Sequence, residues 1–364
     1  MTDYSGLTVL FVGDLNAYSK GYSRLKAFRA LGAKVDAFSH TPPGNPETGF
    51  AAPSVPFRIA WKLGFHLDTE GANGWLPRAA AKLRPDLVWI EKGNMVRPAT
   101  LRRLRSLCPA AVIASYTDDD MVNRTNRTWF YALGLRHYDV VFTTKSYNAD
   151  PLELPAMGAR RVVMVDKAYD PDRHRPMALG AAETEWLACD VGFIGSFERP
   201  RADDMLHVAR SGIPVRIWGN GWERFRPGEK NLTIERRALV NSTDDPLYTK
   251  GIRATRINLT FLRKANRDLQ TDRSIEIPAC GGFMLAEYSD EHARLFEEGR
   301  EAAFFRSRDD LVDRLRYYLA HEDERAAIAA AGRRRCIEGG YSHKDRVAFM
   351  LNTLFDGKAM EAGR

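Results

Sequence analysis

The chain is short of cysteine, has no long apolar run and carries no glycine-rich dinucleotide fingerprint. Cys108, Cys189, Cys280 and Cys336 lie far apart with no Cys-x-x-Cys pair, which fits neither a disulfide framework nor a zinc site and suits a reducing cytosol. No stretch approaches the roughly 20 consecutive apolar residues that cross a bilayer. Met1-Thr2-Asp3-Tyr4 lacks the basic start of a signal peptide, so a cytoplasmic protein is expected. There is no internal repeat, no low-complexity tract, no nucleic-acid module and no basic run interleaved with aromatics. A nucleic-acid partner is not expected.

What is present is a globular composition, 44% hydrophobic, in 364 residues, enough for two domains each with its own core. The formal charge is +7 and the pI near 9.2, compatible with an anionic substrate or a peripheral position at the inner face of an anionic membrane. The one dense basic cluster, Arg333-Arg334-Arg335, ends a helical stretch, where cations complement the dipole. A lipid or acidic-partner patch is the alternative reading there.

Apolar strand runs alternate with helical stretches: Leu7 to Val12, Lys34 to Phe38, Asp86 to Ile90, Ala111 to Ser115, Val140 to Thr144 and Val162 to Val165, with helices such as Tyr22 to Leu31 and Ala99 to Leu107 between them. Such alternation implies a parallel sheet with crossover helices. Residues 168–182, rich in Pro, Gly, Asp and Arg, read as a linker. The alternation then restarts with Asp190 to Ile194, Val215 to Trp218, Ile257 to Phe261 and Phe283 to Ala286. Residues 1–170 and 188–342 are therefore expected to be two Rossmann-like domains joined by a linker over 171–187, an α/β protein. Residues 343–364 hold a last helix, with apolar residues at Val347, Met350, Leu351 and Leu354.

The run Arg273-Ser274-Ile275-Glu276-Ile277-Pro278-Ala279-Cys280-Gly281-Gly282 places one carboxylate on a short helix between a polar loop and an apolar strand. Ser274 is expected as N-cap, Pro278 within the first turn, and Gly281-Gly282 as the stop. A helix start suits an anion, and Glu276 offers two acceptor oxygens to a ribose diol. The run resembles that of the CgeB-like (spore maturation protein B) branch of the GT-B glycosyltransferases. Val191-Gly192-Phe193-Ile194-Gly195-Ser196 resembles that family's domain-opening strand and glycine turn, and 287–296, 311–319 and 325–335 its acidic loop, penultimate helix and Ala-rich helix. The resemblance is specific over 188–350. It implies the GT-B architecture, two domains facing each other across a cleft, the second binding a nucleotide sugar and the first an acceptor, with the last helix crossing back to the first domain.

Ligands of doubly wound sheets bind beyond the carboxyl ends of the strands. On the donor side that selects Gly195-Ser196, with Arg199 and Arg201 as diphosphate cations, and the polar loop Leu262 to Arg273, which carries Arg263 and feeds Arg273, Glu276 and Gly281. Asp268 precedes Glu276 by eight positions, similar to the paired-acid pattern of retaining GT-B transferases. Ordinary surface arginines and chance acid spacing are the bland readings. On the acceptor side, Gly13 and Asp14 follow the first strand, His40 the second, and Glu91-Lys92 the third. Asp118-Asp119-Asp120 offers a general base for an inverting route, with three acids in a solvated turn as the alternative. It also resembles the Asp-x-Asp metal motif of the other major glycosyltransferase fold; the two-domain pattern argues against that, and no metal or cofactor is expected. The resemblance, with these residues, implies a metal-independent, retaining glycosyltransferase, with a GT-B-fold nucleotide-sugar epimerase or a catalytically silent sugar-binding or assembly protein as rivals.

Overall fold

Parallel strands are buried on both faces and so appear in sequence as continuous apolar runs. In a computed structural model that describes residues 4–44, 53–241 and 246–355, these runs build two six-stranded parallel sheets. Met1 to Asp3 and the tail beyond Phe355 lie outside the described residues.

The first unit comprises described residues up to 166 together with 343–355. Its strands are β1 (Thr8–Gly13), β2 (Lys34–Ser39), β3 (Leu87–Glu91), β4 (Val112–Thr117), β5 (Val140–Thr143) and β6 (Val162–Met164), in the order β2-β1-β3-β4-β5-β6. The order reverses between β1 and β3. Ser19 caps the helix Lys20–Ala30 that follows β1, its Oγ accepting the Tyr22 N–H at 3.0 Å. Phe28 of this helix packs edge-on against Phe11 and Trp89. The last helix, His343–Phe355, returns to the same place and buries Val347, Met350 and Leu351 in the Phe28 cluster.

The second unit spans described residues 167–342. It holds β7 (Cys189–Ile194), β8 (Val215–Trp218), β9 (Leu232–Ile234), β10 (Thr255–Thr260), β11 (Met284–Glu287) and β12 (Ala303–Phe305), in the order β12-β11-β10-β7-β8-β9. Here the reversal lies between β7 and β10. Phe261, just after β10, meets Phe193 of β7 and Phe305 of β12 edge-on in the core.

Several details differ from the sequence reading. Residues 171–187 are not a bare linker: Ala181–Leu187 is a helix, and Tyr169 bridges to Ser342. The stretch 287–296 starts at the last residue of β11 and is mostly the helix Asp290–Leu295 rather than a loop. The Glu276 helix begins earlier, at Asp272, with Thr271 as N-cap. Ser274 is its third residue, and its Oγ accepts the Thr271 N–H at 3.0 Å. Pro278 accordingly sits in the last turn, where its missing N–H removes one intrahelical bond just before Gly281, at φ +72°, closes the helix. Among the described residues no helix is long and apolar enough to cross a membrane.

Candidate active site

In the second unit the loops after β7 and β10 flank the strand-order reversal, where such sheets open a crevice for ligands. The loop after β7 starts at Gly195. A Cβ there would lie 2.7 Å from the Phe193 ring and 3.2 Å from an Arg273 guanidinium nitrogen, so glycine is what lets Arg273 approach. The loop amides are partly used by the fold. Gly195 and Phe197 donate to the carbonyls of Trp218 and Asn220, both at 2.8 Å, and the Gly195 carbonyl accepts from the Trp222 indole at 2.8 Å. The turn is therefore held rigidly, and the cationic groups beside it come from side chains. Ser196 is exposed at its tip.

Arg201 lies in the first turn of the helix Arg199–Arg210, and only 4% of it is exposed. Its guanidinium stands 5.6 Å from the centre of the Phe193 ring, and that of Arg273 stands 5.5 Å from the same ring. Glu198 accepts from Arg201 at 2.8 Å and lies 4.0 Å from Arg263. Two cations thus meet one carboxylate, and Arg273 joins Arg201 at the Phe193 ring. The Nε atoms of Arg201 and Arg273 are both buried without a hydrogen-bond partner. Burial, and next the charge of Arg273, hold the Arg201 pKa below its ordinary value. Two guanidinium groups crowded together with unmet donors suit an anion between or beside them. Arg199 does not join them: its side chain is mostly exposed and pairs with Asp203 at 2.9 Å.

Glu276 is 6% exposed and faces side chains from outside its helix. Its Oε2 accepts from the Tyr248 hydroxyl at 2.6 Å, and its Oε1 lies 3.8 Å from His174 Nε2. Burial, and next Glu276 itself, push the Tyr248 pKa well up, so Tyr248 is a donor to the carboxylate. The sequence reading named neither neighbour. His174 fell in the supposed linker, and Tyr248 is one aromatic on an amphipathic helix with no local mark of its role. Gly281 closes the opposite end of the Glu276 helix, its carbonyl accepting from Arg253 at 2.7 Å, so its place is structural.

The loop from Leu262 to Thr271 is pinned at several points. Leu262 N–H donates to Glu287 at 3.0 Å, Ala265 N–H to Glu198 at 3.3 Å, and Gln270 to Glu291 at 2.7 Å. Arg267 adopts φ +46°, a left-handed turn that costs a non-glycine residue energy. Asp268 follows it and accepts from Asn266 at 2.8 Å. Beneath the helix start, Ser274 Oγ and His292 Nε2 are 2.6 Å apart, while His292 Nδ1 lies 2.8 Å from the Glu287 carbonyl. Burial pushes the His292 pKa down to about 4, so a neutral imidazole ties the helix start to the end of β11.

In the first unit the corresponding reversal carries a different arrangement. Glu91 is the last residue of β3 and is buried. Its Oε1 accepts from Arg24 Nε at 2.7 Å and from the Trp89 indole at 2.8 Å, and its Oε2 accepts a second Arg24 bond. Glu91 is therefore an internal ion pair and not an acceptor-facing group as its position after the third strand suggested. Gly13 is required because a Cβ would come within 2.7 Å of Glu91 Cγ. Asp14 turns back to its own loop, accepting from Asn16 N–H at 3.0 Å. The Asp118 to Asp120 run splits: Asp118 lies 3.4 Å from Arg24, Asp119 pairs with Lys92 at 2.5 Å, and Asp120 accepts from Asn148 at 3.0 Å. His40 Nδ1 lies 3.0 Å from the Thr41 hydroxyl, and burial, then His66, depresses its pKa to about 4.

Residues 201–352 match the model of the glycosyl transferase-like family. The chain carries a glycosyl transferase-like domain. That match spans Arg201, Arg263, Asp268, Arg273 and Glu276, the residues the second unit brings around its strand reversal. Among curated proteins no sequence matches. Among solved structures, sucrose-phosphate synthase from Thermosynechococcus elongatus superposes with a TM-score of 0.65 at 12% identity, over 97% of this chain and 100% of that one. HepE from Anabaena, solved with UDP and glucose, gives 0.58 at 11% identity over 96% and 100%. MnaA from S. aureus, solved with UDP, gives 0.54 at 10% identity over 98% and 99%. The fold is GT-B, and the enzyme class is glycosyltransferase.

Proposed function

We propose that this glycosyltransferase takes its sugar from a nucleoside diphosphate donor held in the second unit, and that it belongs to the CgeB-like branch. The observation that carries the reading is the pair Arg201 and Arg273, each over the Phe193 ring and each with a buried Nε lacking a partner, beside the Gly195 turn. A diphosphate would take up those donors. It would also offset the repulsion between the two cations, most strongly as negative charge grows on the leaving group. Glu276, set by Tyr248 and His174, would accept from the ribose hydroxyls.

Asp268, on the pinned loop eight residues before Glu276, would face the donor sugar, which favours retention of configuration. Asp118 and Asp119 are engaged with Arg24 and Lys92 in the first unit, which makes the inverting route the weaker reading. No metal is needed when two guanidinium groups meet the diphosphate. HepE binds UDP in its solved complex, so UDP is the first probe. Thermal melting with UDP and with uridine tests the reading, since a ligand of the native state alone raises Tm by mass action. UDP should raise it and uridine should do so far less; equal shifts for the two would remove the diphosphate site.

A further inference from the structure

The helix Val55–Lys62 buries none of its residues. Its apolar residues at Val55 and Ile59, continued by Leu63, recur every fourth position and form one stripe, which a helix of a globular domain ordinarily turns toward the core. Here the stripe faces solvent. The segment is nevertheless ordered: Ser54 accepts the Phe57 N–H at 3.3 Å, and the Phe57 and Trp61 rings both pack edge-on against His66.

A second stripe adjoins it. Trp129 and Leu133 occupy one face of the helix Trp129–Gly134, and these five side chains are between 50% and 65% exposed. The two stripes are joined by direct contact, for the Trp129 N–H donates to the Gly64 carbonyl at 2.8 Å and Phe65 meets Phe130 edge-on at 5.4 Å. Gly64 has φ +83°, and a Cβ there would lie 2.7 Å from the Trp129 indole nitrogen, so glycine permits the junction. Large contiguous apolar patches on a surface mark an interaction site.

Charge decides what the patch meets. Residues 53–67 and 121–138 contain Arg58, Lys62, Arg124, Arg127 and Arg136, and the acids that bound these stretches are engaged elsewhere: Asp68 accepts from the Ala72 and Asn73 N–H groups, Asp120 from Asn148, and Asp139 pairs with Arg105. Pairing with a second copy through the same patch would set these cations against one another, the adjoining carboxylates being already engaged within their own unit. An anionic lipid surface satisfies both features, its acyl boundary taking the apolar stripe and its headgroups the cations, with Trp129 suited to the interface between them. We propose that the Val55–Leu63 and Trp129–Leu133 stripes of the first unit dock the protein on an anionic bilayer, lying in its surface without crossing it. The cluster Arg333-Arg334-Arg335 has a single exposed apolar residue beside it on its helix, Ile337, rather than two joined stripes, and Arg335 turns to the Leu295 carbonyl at 3.0 Å and to Glu301.

The test is flotation of the full-length protein with vesicles of phosphatidylglycerol and phosphatidylcholine in equal parts, against vesicles of phosphatidylcholine alone. Binding should be confined to the anionic vesicles and should weaken with added salt. Arg58→Gln with Lys62→Gln should lower partition by about thirtyfold, roughly fivefold per cation removed. Ile59→Ser with Leu63→Ser should abolish it while circular dichroism and the Tm shift with UDP stay unchanged, because the patch and the nucleotide site lie in different units. Equal binding to neutral vesicles, no binding to either, or undiminished binding by the variants would overturn the proposal. So would a dimer in light scattering that the serine variant dissolves, which would assign the patch to a second copy of the chain.

Discussion

Glu276 separates a binding role from a structural one, because its two obvious substitutions should fail differently. Glu276→Gln keeps a carbonyl oxygen where Tyr248 donates at 2.6 Å, so the buried phenol stays satisfied. What is lost is the negative charge and one acceptor, and a hydrogen bond to a charged group contributes about 1.5–3 kcal/mol. If that acceptor meets the ribose, UDP affinity should fall roughly 10- to 150-fold at nearly constant Tm. Glu276→Ala removes the partner of Tyr248 altogether. A buried hydroxyl left alone costs about 1–3 kcal/mol, and at roughly 2–4 °C per kcal/mol for a domain of this size the melting temperature should drop visibly. Titration calorimetry with UDP and thermal melting of both variants make the comparison. Unchanged UDP affinity in Glu276→Gln would refute the ribose assignment and leave Glu276 as a buried partner of Tyr248 and His174.

Replacing Arg201 or Arg273 by Ala should cut turnover more than it cuts binding of uridine, since the charge they offset grows toward the transition state; steady-state kinetics with a UDP-sugar reads this. His292, with its pKa depressed to about 4 by burial, is neutral in the fold. Its contribution to stability is complete above the ordinary value of 6.5 and is lost as pH falls from there toward 4, a difference of about 3 kcal/mol. Denaturant melts across that window should show a shallower loss in His292→Asn. Chelation with EDTA should leave turnover nearly intact, and a rate abolished by EDTA and restored by Mg²⁺ or Mn²⁺ would move the diphosphate to a metal site.

Much of the fold was legible because buried parallel strands such as Leu7 to Val12 announce themselves as unbroken apolar runs. The edge strands Leu232–Ile234 and Ala303–Phe305 were not, since three residues flanked by charge carry almost no periodic signal. The helix Val55–Lys62 also escaped, its apolar stripe being turned to solvent. In the site, the loops were readable from their place after strands, and Arg201, Arg273 and Arg263 do gather there. Their environment was not readable. Thr271 and Ser274 are both good caps, and the contact of Ser274 with His292, eighteen residues on, accompanies the cap at Thr271. Glu91 looked like a cleft residue because its partner, Arg24, lies 67 positions away and nothing local reveals the pairing.

The central claim is that Arg201 and Arg273 hold the diphosphate of a sugar donor. It is tested most directly by incubating the protein with UDP-glucose and other UDP-sugars and measuring the UDP released, in the wild type and in the Arg201→Ala, Arg273→Ala double variant. The prediction is slow UDP release by the wild type and none by the variant, with the sugar freed or transferred unchanged in its ring configuration. Conversion to an epimer without UDP release, or release that persists undiminished in the double variant, would contradict it.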